Sequence, residues 1–464
     1  MASVNKLRIV LVVCCVAQLM VNLDSSMLSI ALSDLRSNLR LTPDSLPWTV
    51  NAYAIPLASL LLFGGRLSDR YGPRRVLLVG AIIFAGASLI AGTALSAGML
   101  LTGRALQGAG AALMSTSCLA LLSRSFPSGT SRAKAFGMWA AAAGSGGAVG
   151  VLAGGVIVDL VGWRWTLLIN LPIAAGLCLL LSSVRDPKVT ARPQLDLPGT
   201  ATFSVAAISA VLAITSFSRP IAGIPASPWI FAGISAASLL AFVIVERHSP
   251  GPLIPRAAHT SRALWVLAGS MFLVGGAMTS VFYFAALNFQ IFHGLSPFIA
   301  GLGFLPLSLG AFVAAALSPL LQSRIGVEVA ACAGAAVMSI GLVAVWTSAP
   351  MVTPFWLIAF SCVFGLGMGL VLSSISNAAT GTLPSTLIGA ASGLLTTAQQ
   401  MGNSIGLAAA TVVDNLSLKV THEAGFGAAT SFSVIAMMLL VYFALKAPRG
   451  SHARFEVGTG DRNR

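Results

Sequence analysis

Two residues of opposite charge each interrupt a long apolar run, Asp24 and Arg104. A charge inside hydrocarbon is costly and marks a functional position by default. Asp24 lies about nine residues, roughly 14 Å, from the outer end of its run, and Arg104 about six residues, roughly 9 Å, from the outer end of its own. The two therefore reach nearly the same depth. An arginine nearby favours the ionised aspartate, while burial favours the neutral one. A change in their separation or hydration would then load or release a proton, whereas a purely structural ion pair is the plainer alternative. Two common enzyme signatures are missing: there is no Gly-Lys dipeptide for a phosphate loop and no His-Glu-x-x-His. The six cysteines, Cys14, Cys15, Cys118, Cys178, Cys332 and Cys362, fall inside apolar runs without metal spacing and read as small buried hydrophobes. No cofactor and no metal are expected, which leaves the proton as coupling ion.

The runs that carry these charges dominate the chain. Hydrophobic residues are 56% and charged ones 9% of 464, and mean hydropathy is +0.89, whereas a soluble domain carries about 25% charged residues. The expected spans are 8–33, 45–66, 75–96, 98–124, 132–160, 163–184, 196–217, 227–246, 262–292, 297–322, 326–348, 352–380, 385–413 and 426–446. Each is long enough to cross about 30 Å of hydrocarbon as a helix. The runs are continuous rather than alternating, and lipid forces each backbone to satisfy itself, so an all-α membrane protein is expected.

The net charge of +14 invites a nucleic-acid reading, but the placement of the charge argues for topology. With the N-terminus inside, 21 of the 27 basic residues fall in cytoplasmic segments. Only Arg36, Arg40, Arg164, Arg219 and Lys419 lie outside, and Arg104 lies within a span. Both termini are therefore expected in the cytoplasm, with lipid but no nucleic acid as partner. The first span, too long for a signal-peptide core and carrying Asp24, reads as uncleaved.

The chain nearly repeats itself. The run GAGAALMSTSCLALLSRSFP from Gly108 leads to Phe136-Gly137 and a glycine-rich span, and GMGLVLSSISNAATGTLP from Gly367 leads to Ser392-Gly393 and another. Two six-span halves are expected, 1–186 and 259–446, with two further spans between them in 187–258 and a disordered polar tail, 447–464. A site near midplane between such halves is a common transporter plan. In the glycine-rich spans Gly146, Gly150 and Gly154, beside Gly155, recur on one helix face, as do Gly402 and Gly406. Small residues let backbones approach closely. Were these two faces to meet across the halves, they could slide or rock as a gate.

Between spans two and three lies GGRLSDRYGPRR, residues 64–75. A turn this short calls for glycine, at Gly65 and Gly72, and Asp69 among Arg66, Arg70, Arg74 and Arg75 is a compact charge cluster able to lock one helix arrangement. Here the chain resembles the major facilitator superfamily, whose loop signature Gly-x-Leu-x-Asp-Arg-x-Gly-Arg-Arg matches Gly65, Leu67, Asp69, Arg70, Gly72, Arg74 and Arg75, with Pro73 as a stiffening addition. Four more stretches resemble its fourteen-span drug:proton antiporters, with methylenomycin-resistance exporters the nearest likeness. They are NLDSSMLSIAL (22–32), with Ser33 in place of a proline, GRALQGAGAAL (103–113), WRWTLLINLP (163–172) and GSGGAVGVLAGG (144–155). In the last, Gly150-Val151 stands for the usual Gly-Pro. The second-half loop, LLQSRIGVE (320–328), has lost the glycine and aspartate of the signature.

The resemblance implies two six-helix bundles plus two central helices and proton-coupled export of small drugs or antibiotics across a bacterial inner membrane. Asp24 would carry the proton or the substrate charge, and Arg104 would support it. An uptake symporter or a lipid or metabolite flippase on the same fold is the alternative. The twelfth span holds no acid, which favours a neutral or singly charged amphipathic substrate. Candidate cavity residues are Trp48, Asn51, Tyr53, Gln107, Met278, Phe282, Asn288, Asn377, Gln399, Gln400 and Asn403. A monomer is expected.

Overall fold

Backbone N–H and C=O groups in hydrocarbon must pair within the chain, and every regular element among the described residues is helical. The computed structural model describes residues 2–42, 45–127, 130–184, 186, 194–217, 224–347, 354–382 and 388–421. The first-half elements are α1 (Ala2–Ile30), α2 (Leu32–Asn38), α3 (Trp48–Tyr71), α4 (Pro73–Gly92), α5 (Ala97–Ser125), α6 (Thr130–Val161), α7 (Arg164–Leu168) and α8 (Asn170–Ser182). Then come α9 (Leu197–Ser216), α10 (Ser227–His248) and the short α11 (Arg256–His259). The rest are α12 (Arg262–Leu287), a π-helical turn (Asn288–Phe292), α13 (Pro297–Gly303), α14 (Leu305–Ile325), α15 (Val327–Thr347), α16 (Pro354–Thr382) and α17 (Ile388–Thr421). Among the described residues, 11 helical stretches are long and apolar enough to cross a membrane. The expected last span, 426–446, and the tail lie outside the described residues.

Two expected spans are broken. α7 passes to α8 at Ile169, and α13 to α14 at Phe304. Pro172 and Pro306 cause this: each lacks an N–H and crowds the carbonyl four residues earlier, at Leu168 and Leu302.

α3, α4 and α5 pack together and α1 lies along α6, while α14, α15 and α16 pack together and α12 lies along α17. The two sets join where α17 meets α3 and α6 meets α13, and α9 carries α10 onto α3 and α17. At the end opposite the 64–75 loop, Leu28, Leu32 and Leu35 share one buried cluster with Tyr283, Phe284 and Leu407. There the carboxylate of Asp159 on α6 also accepts from the Phe298 N–H of α13 at 3.1 Å.

Close contacts set the register of the repeat. A Cβ at Gly108 would strike the Tyr53 carbonyl, and one at Gly365 the Leu307 carbonyl. Gly110 faces Gly80 and Phe84, as Gly367 faces Gly334 and Met338. Gly108 therefore matches Gly365, two residues before the Gly367 that the sequence suggested, and Pro127 and Pro384 then fall in step.

Gly65 is not a turn residue: it lies inside α3 with open space around it. Gly72 alone links α3 to α4, at φ 94°, and Pro73 opens α4 where no N–H is needed. The second-half loop keeps this device, since Gly326, at φ 86°, alone links α14 to α15. What it lacks is the aspartate.

The two glycine faces do not meet. Gly146, Gly150 and Gly154 pack on α1 at Asn22, Leu23 and Met27, whereas Gly402 and Gly406 pack on α12 at Phe272 and Gly276. Each face closes a contact within its own half, and Gly155 crosses instead, against Pro297 and Phe298. Crowding at Gly110 tests the packing, because a Cβ there would stand 2.8 Å from the Gly80 carbonyl. Gly110→Val is expected to cost about 1–3 kcal/mol, read as a lower unfolding temperature in detergent. Gly86, with nothing within 4 Å, should tolerate alanine and gain a few tenths to about 1 kcal/mol.

Candidate proton-coupling site

Five helices of the first half converge on Asp24. Its carboxylate is ion-paired to the Arg104 guanidinium, and both side chains are at most 1% exposed. The second oxygen, Oδ1, accepts from Gln107 Nε2 at 2.9 Å and from Asn170 Nδ2 at 2.7 Å. Arg104 also donates to Gln107 Oε1 at 2.8 Å and to the Thr49 carbonyl at 3.2 Å. Its guanidinium lies over the Tyr53 ring, 4.4 Å from the centroid. Gln107 Nε2 reaches Ser88 Oγ at 2.7 Å, and Tyr53 donates to the Val21 carbonyl at 3.2 Å.

Local sequence builds this convergence. Gly108 admits the α3 backbone against α5 beside Tyr53, and Gly103 admits α4 at Ala87 and Ala91. Arg104 and Gln107 are three apart and so share one face of α5. The break before Pro172 starts α8 at Asn170, which aims its amide at Asp24. Removing one member of a buried pair costs about 3–5 kcal/mol, because the partner is left charged and alone. Each member of the pair thus depends on the charge of the other.

The second half holds no such pair at the matching positions of α5. In the register given by the glycine contacts, Tyr53 corresponds to Leu307, Arg104 to Ser361 and Gln107 to Phe364. Leu307 and Phe364 are buried apolar residues.

The structure divides the sequence-based candidates. Asp24, Arg104, Tyr53 and Gln107 come together in one network, so Gln107 belongs to the carboxylate site rather than to a cavity wall. Asn170 and Ser88 join it unexpected. Asn170 lay within a stretch singled out by sequence, whereas nothing in sequence marked Ser88. Trp48 packs beside Ile55, Val211 and Ala408 where α3, α9 and α17 meet. Asn51 is buried with neither amide atom paired, and Asn288, at the start of the π-helical turn, has a buried unpaired Oδ1. Met278 and Phe282 line the second-half core, with Phe282 stacked on Phe304 at 5.3 Å. Gln399, Gln400 and Asn403 are half-buried on α17, where the Asn403 amide donates to the Gly275 carbonyl of α12 at 2.8 Å and to Thr279 Oγ1 at 3.0 Å. Asn377 instead donates to Gln322 at 2.6 Å. Gln322 reaches Ser374 at 3.1 Å, the counterpart of the Ser68 and Ser117 hydroxyl contact at 2.8 Å in the first half.

At the 64–75 loop, Asp69 pairs with Arg124 at the end of α5, at 2.6 Å. Asp186, which sequence reasoning passed over, organises the rest. It accepts from the Arg74 N–H at 2.8 Å and lies 3.6 Å from Arg75 Nε, where it caps the start of α4. Arg74 Nε donates to the Leu181 carbonyl at 2.8 Å, and Arg70 lies over the Tyr71 ring. Arg66 turns away and donates to the Pro252 carbonyl.

The family model described as Major Facilitator Superfamily matches residues 14–407. The chain is 35% identical to the cephamycin export protein CmcT of Amycolatopsis lactamdurans, over 86% of this chain and 83% of that protein. It is 34% identical to the puromycin resistance protein pur8 of Streptomyces alboniger, over 86% and 80% respectively. The methylenomycin A resistance protein of Bacillus subtilis is 29% identical over 96% of both chains. Among solved structures, a D-xylose-proton symporter superposes with a TM-score of 0.65 at 15% identity, covering 94% of this chain and 98% of that one, which is a likeness of fold. A family match across most of the length, relatives of this identity and a bundle of this architecture agree: the chain belongs to the major facilitator superfamily, as a multi-pass membrane transporter and not an enzyme.

Proposed function

We propose that this protein exports small amphipathic antibiotics or drugs from a bacterial cell by alternating access, in exchange for protons. The observation that carries the reading is the buried Asp24 and Arg104 pair, held by Gln107 and Asn170 and the one fully buried ion pair among the described residues. Relatives named for cephamycin export, puromycin resistance and methylenomycin A resistance support the direction of transport. The proton is the coupling ion, and no other cofactor takes part. Inward movement of one proton down a membrane potential yields about 2.3 kcal/mol per 100 mV.

In this reading the chain crosses the inner membrane fourteen times with both termini in the cytoplasm, and it works as a monomer. Residues 1–186 and 259–446 form the two rocking halves, and residues 187–258 supply the two extra spans. The 64–75 loop then lies on the cytoplasmic side. The Asp69 and Arg124 pair and the Asp186 cap, both within the first half, stiffen that face. A proton arriving at Asp24 neutralises it and frees Arg104 from its ion pair. The helices that meet there shift to re-pair the guanidinium, and that shift exchanges one access for the other. The absence of an acid from the twelfth span suits neutral or singly charged cargo, for which Gln399, Gln400 and Asn403 of α17 provide hydrogen-bonding groups.

Efflux of a labelled antibiotic from intact cells, with the proton gradient collapsed and restored, tests the reading. Wild type should export only with the gradient, and Asp24→Asn should abolish that dependence while the protein remains folded. Gradient-dependent accumulation instead of efflux would reverse the direction and make it an uptake symporter, and efflux indifferent to both changes would remove the proton from the mechanism. Arg104→Lys gives a second readout. Lysine keeps the charge but cannot hold Asp24, Gln107 and the Thr49 carbonyl together in one planar fork. Transport should fall by about tenfold or more, the equivalent of losing one charge-assisted hydrogen bond of roughly 1.5–3 kcal/mol.

A further inference from the structure

α1 is gripped on two faces. From one of them Asp24 enters the network of α5 and α8. Residues two apart on a helix lie about 200° around its axis, so Asn22 and Ser26 stand nearly opposite Asp24, and there they meet α6. Asn22 Nδ2 donates to the Ala143 carbonyl at 2.7 Å, and its Oδ1 accepts from Gln18 Nε2 at 3.4 Å. Ser26 Oγ lies 3.1 Å from the Gly146 carbonyl, and 2.9 Å and 3.1 Å from the Asn22 and Leu23 carbonyls of its own helix. Ala143 and Gly146 are interior residues of α6, and each carbonyl has a second lone pair for such a donor. Glycine permits the approach: a Cβ at Gly146 would stand 2.8 Å from Asn22 Cβ, and one at Gly150 would strike Ser26 Oγ.

The same α6 carries a contact to the second half. Further along it, Val151, Gly155 and Asp159 are spaced four apart and so share one face. That face meets α13. A Cβ at Gly301 would stand 2.8 Å from the Val151 carbonyl, one at Gly155 would stand 2.8 Å from Phe298 Cα, and Asp159 accepts from the Phe298 N–H at 3.1 Å. α6 is thus bonded to α1 by polar side chains and fitted to α13 by close backbone packing.

We propose that Asn22 and Ser26 are positioning residues that pin α1 to α6, so that a change at the Asp24 and Arg104 pair is passed through α6 to its contact with α13. This rests on the export reading, in which that pair operates the exchange of access. Displacing α1 then loosens α6 from α13 and opens the closed end. A second route bypasses both pins, since Leu28 of α1 and Leu32 and Leu35 of α2 meet the second half directly at Tyr283, Phe284 and Leu407.

Hydrogen–deuterium exchange of residues 297–303, read by mass spectrometry on the full chain in lipid nanodiscs, follows the Phe298 N–H and its neighbours. Asp24→Asn removes the charge and keeps an acceptor, and it should speed exchange there about tenfold. With Asn22→Leu and Ser26→Ala already present, the same Asp24→Asn change should alter exchange by less than about twofold. Both pin substitutions are apolar, and the α6 carbonyls keep their helical partners, so no buried group loses its only bond. Exchange within α14 and α16 serves as the check of folding. Should the triple variant fail it, Asn22→Leu with Asp24→Asn carries the test, with a response below about threefold expected. No change at 297–303 in Asp24→Asn would overturn the proposal. So would an equal response with and without the pins, which would assign the transmission to the direct apolar contact. The measurement uses neither drug nor proton gradient, so efflux indifferent to the gradient would end the export reading and leave these exchange rates as they are.

Discussion

A carboxylate and a guanidinium buried together inside a hydrocarbon-embedded bundle are tolerable only if nearly every polar atom around them is paired. Asp24 is met by three donors from two other helices, and Arg104 is shared among an acid, an amide, a backbone carbonyl and an aromatic face. That requirement brings α1, α3, α4, α5 and α8 to one point at fixed separations. The glycines on α5 make those separations reachable, because a Cβ at Gly103 or Gly108 would strike neighbouring backbone. Polar satisfaction and close packing are therefore a single constraint. A change at this one ion pair bears on all five helices at once.

The repeat makes the asymmetry informative. Gly108 and Gly365, Gly110 and Gly367, and Gly72 and Gly326 perform matching backbone tasks in the two halves. The scaffold is thus duplicated while the charge is not, since Leu307, Ser361 and Phe364 occupy the second-half positions of Tyr53, Arg104 and Gln107. One half holds a buried ion pair, and the other holds Met and aromatic side chains with amides on α17. Leu28, Leu32 and Leu35 against Tyr283, Phe284 and Leu407 close the end opposite the gate loop by apolar contact, a non-directional interaction that can part and re-form.

At the gate loop, charges are distributed rather than pooled. Asp69 goes to Arg124, Asp186 to Arg74 and Arg75, and Arg66 leaves the cluster for the segment beyond α10. The two inserted helices consequently have a mechanical connection to α3 at both levels, through α9 along its length and through Pro252 at its end.

Much of this was legible in the sequence, for reasons of solvent. Lipid permits only self-paired backbone, so long apolar runs had to be helices, and charge inside them had to be placed for a purpose; Asp24, Arg104 and the loop signature could be found by type and spacing alone. The breaks at Ile169 and Phe304 were not legible: Pro172 and Pro306 lie beside them, but Pro56 and Pro319 lie inside unbroken helices. Side-chain partners are set by which helix faces meet, and spacing along one helix cannot reveal that. Asn170 and Ser88 joined Asp24, Gln107 moved from cavity wall to the carboxylate network, Asp186 capped α4, and Gly65 lay inside a helix, all for that reason. The same limit separated the two glycine faces, which look alike in sequence but close contacts in different halves. Sequence by itself determined the solvent, the helices and the buried charge; the tertiary structure decided the partners, because partnership depends on distances between helices far apart in the chain.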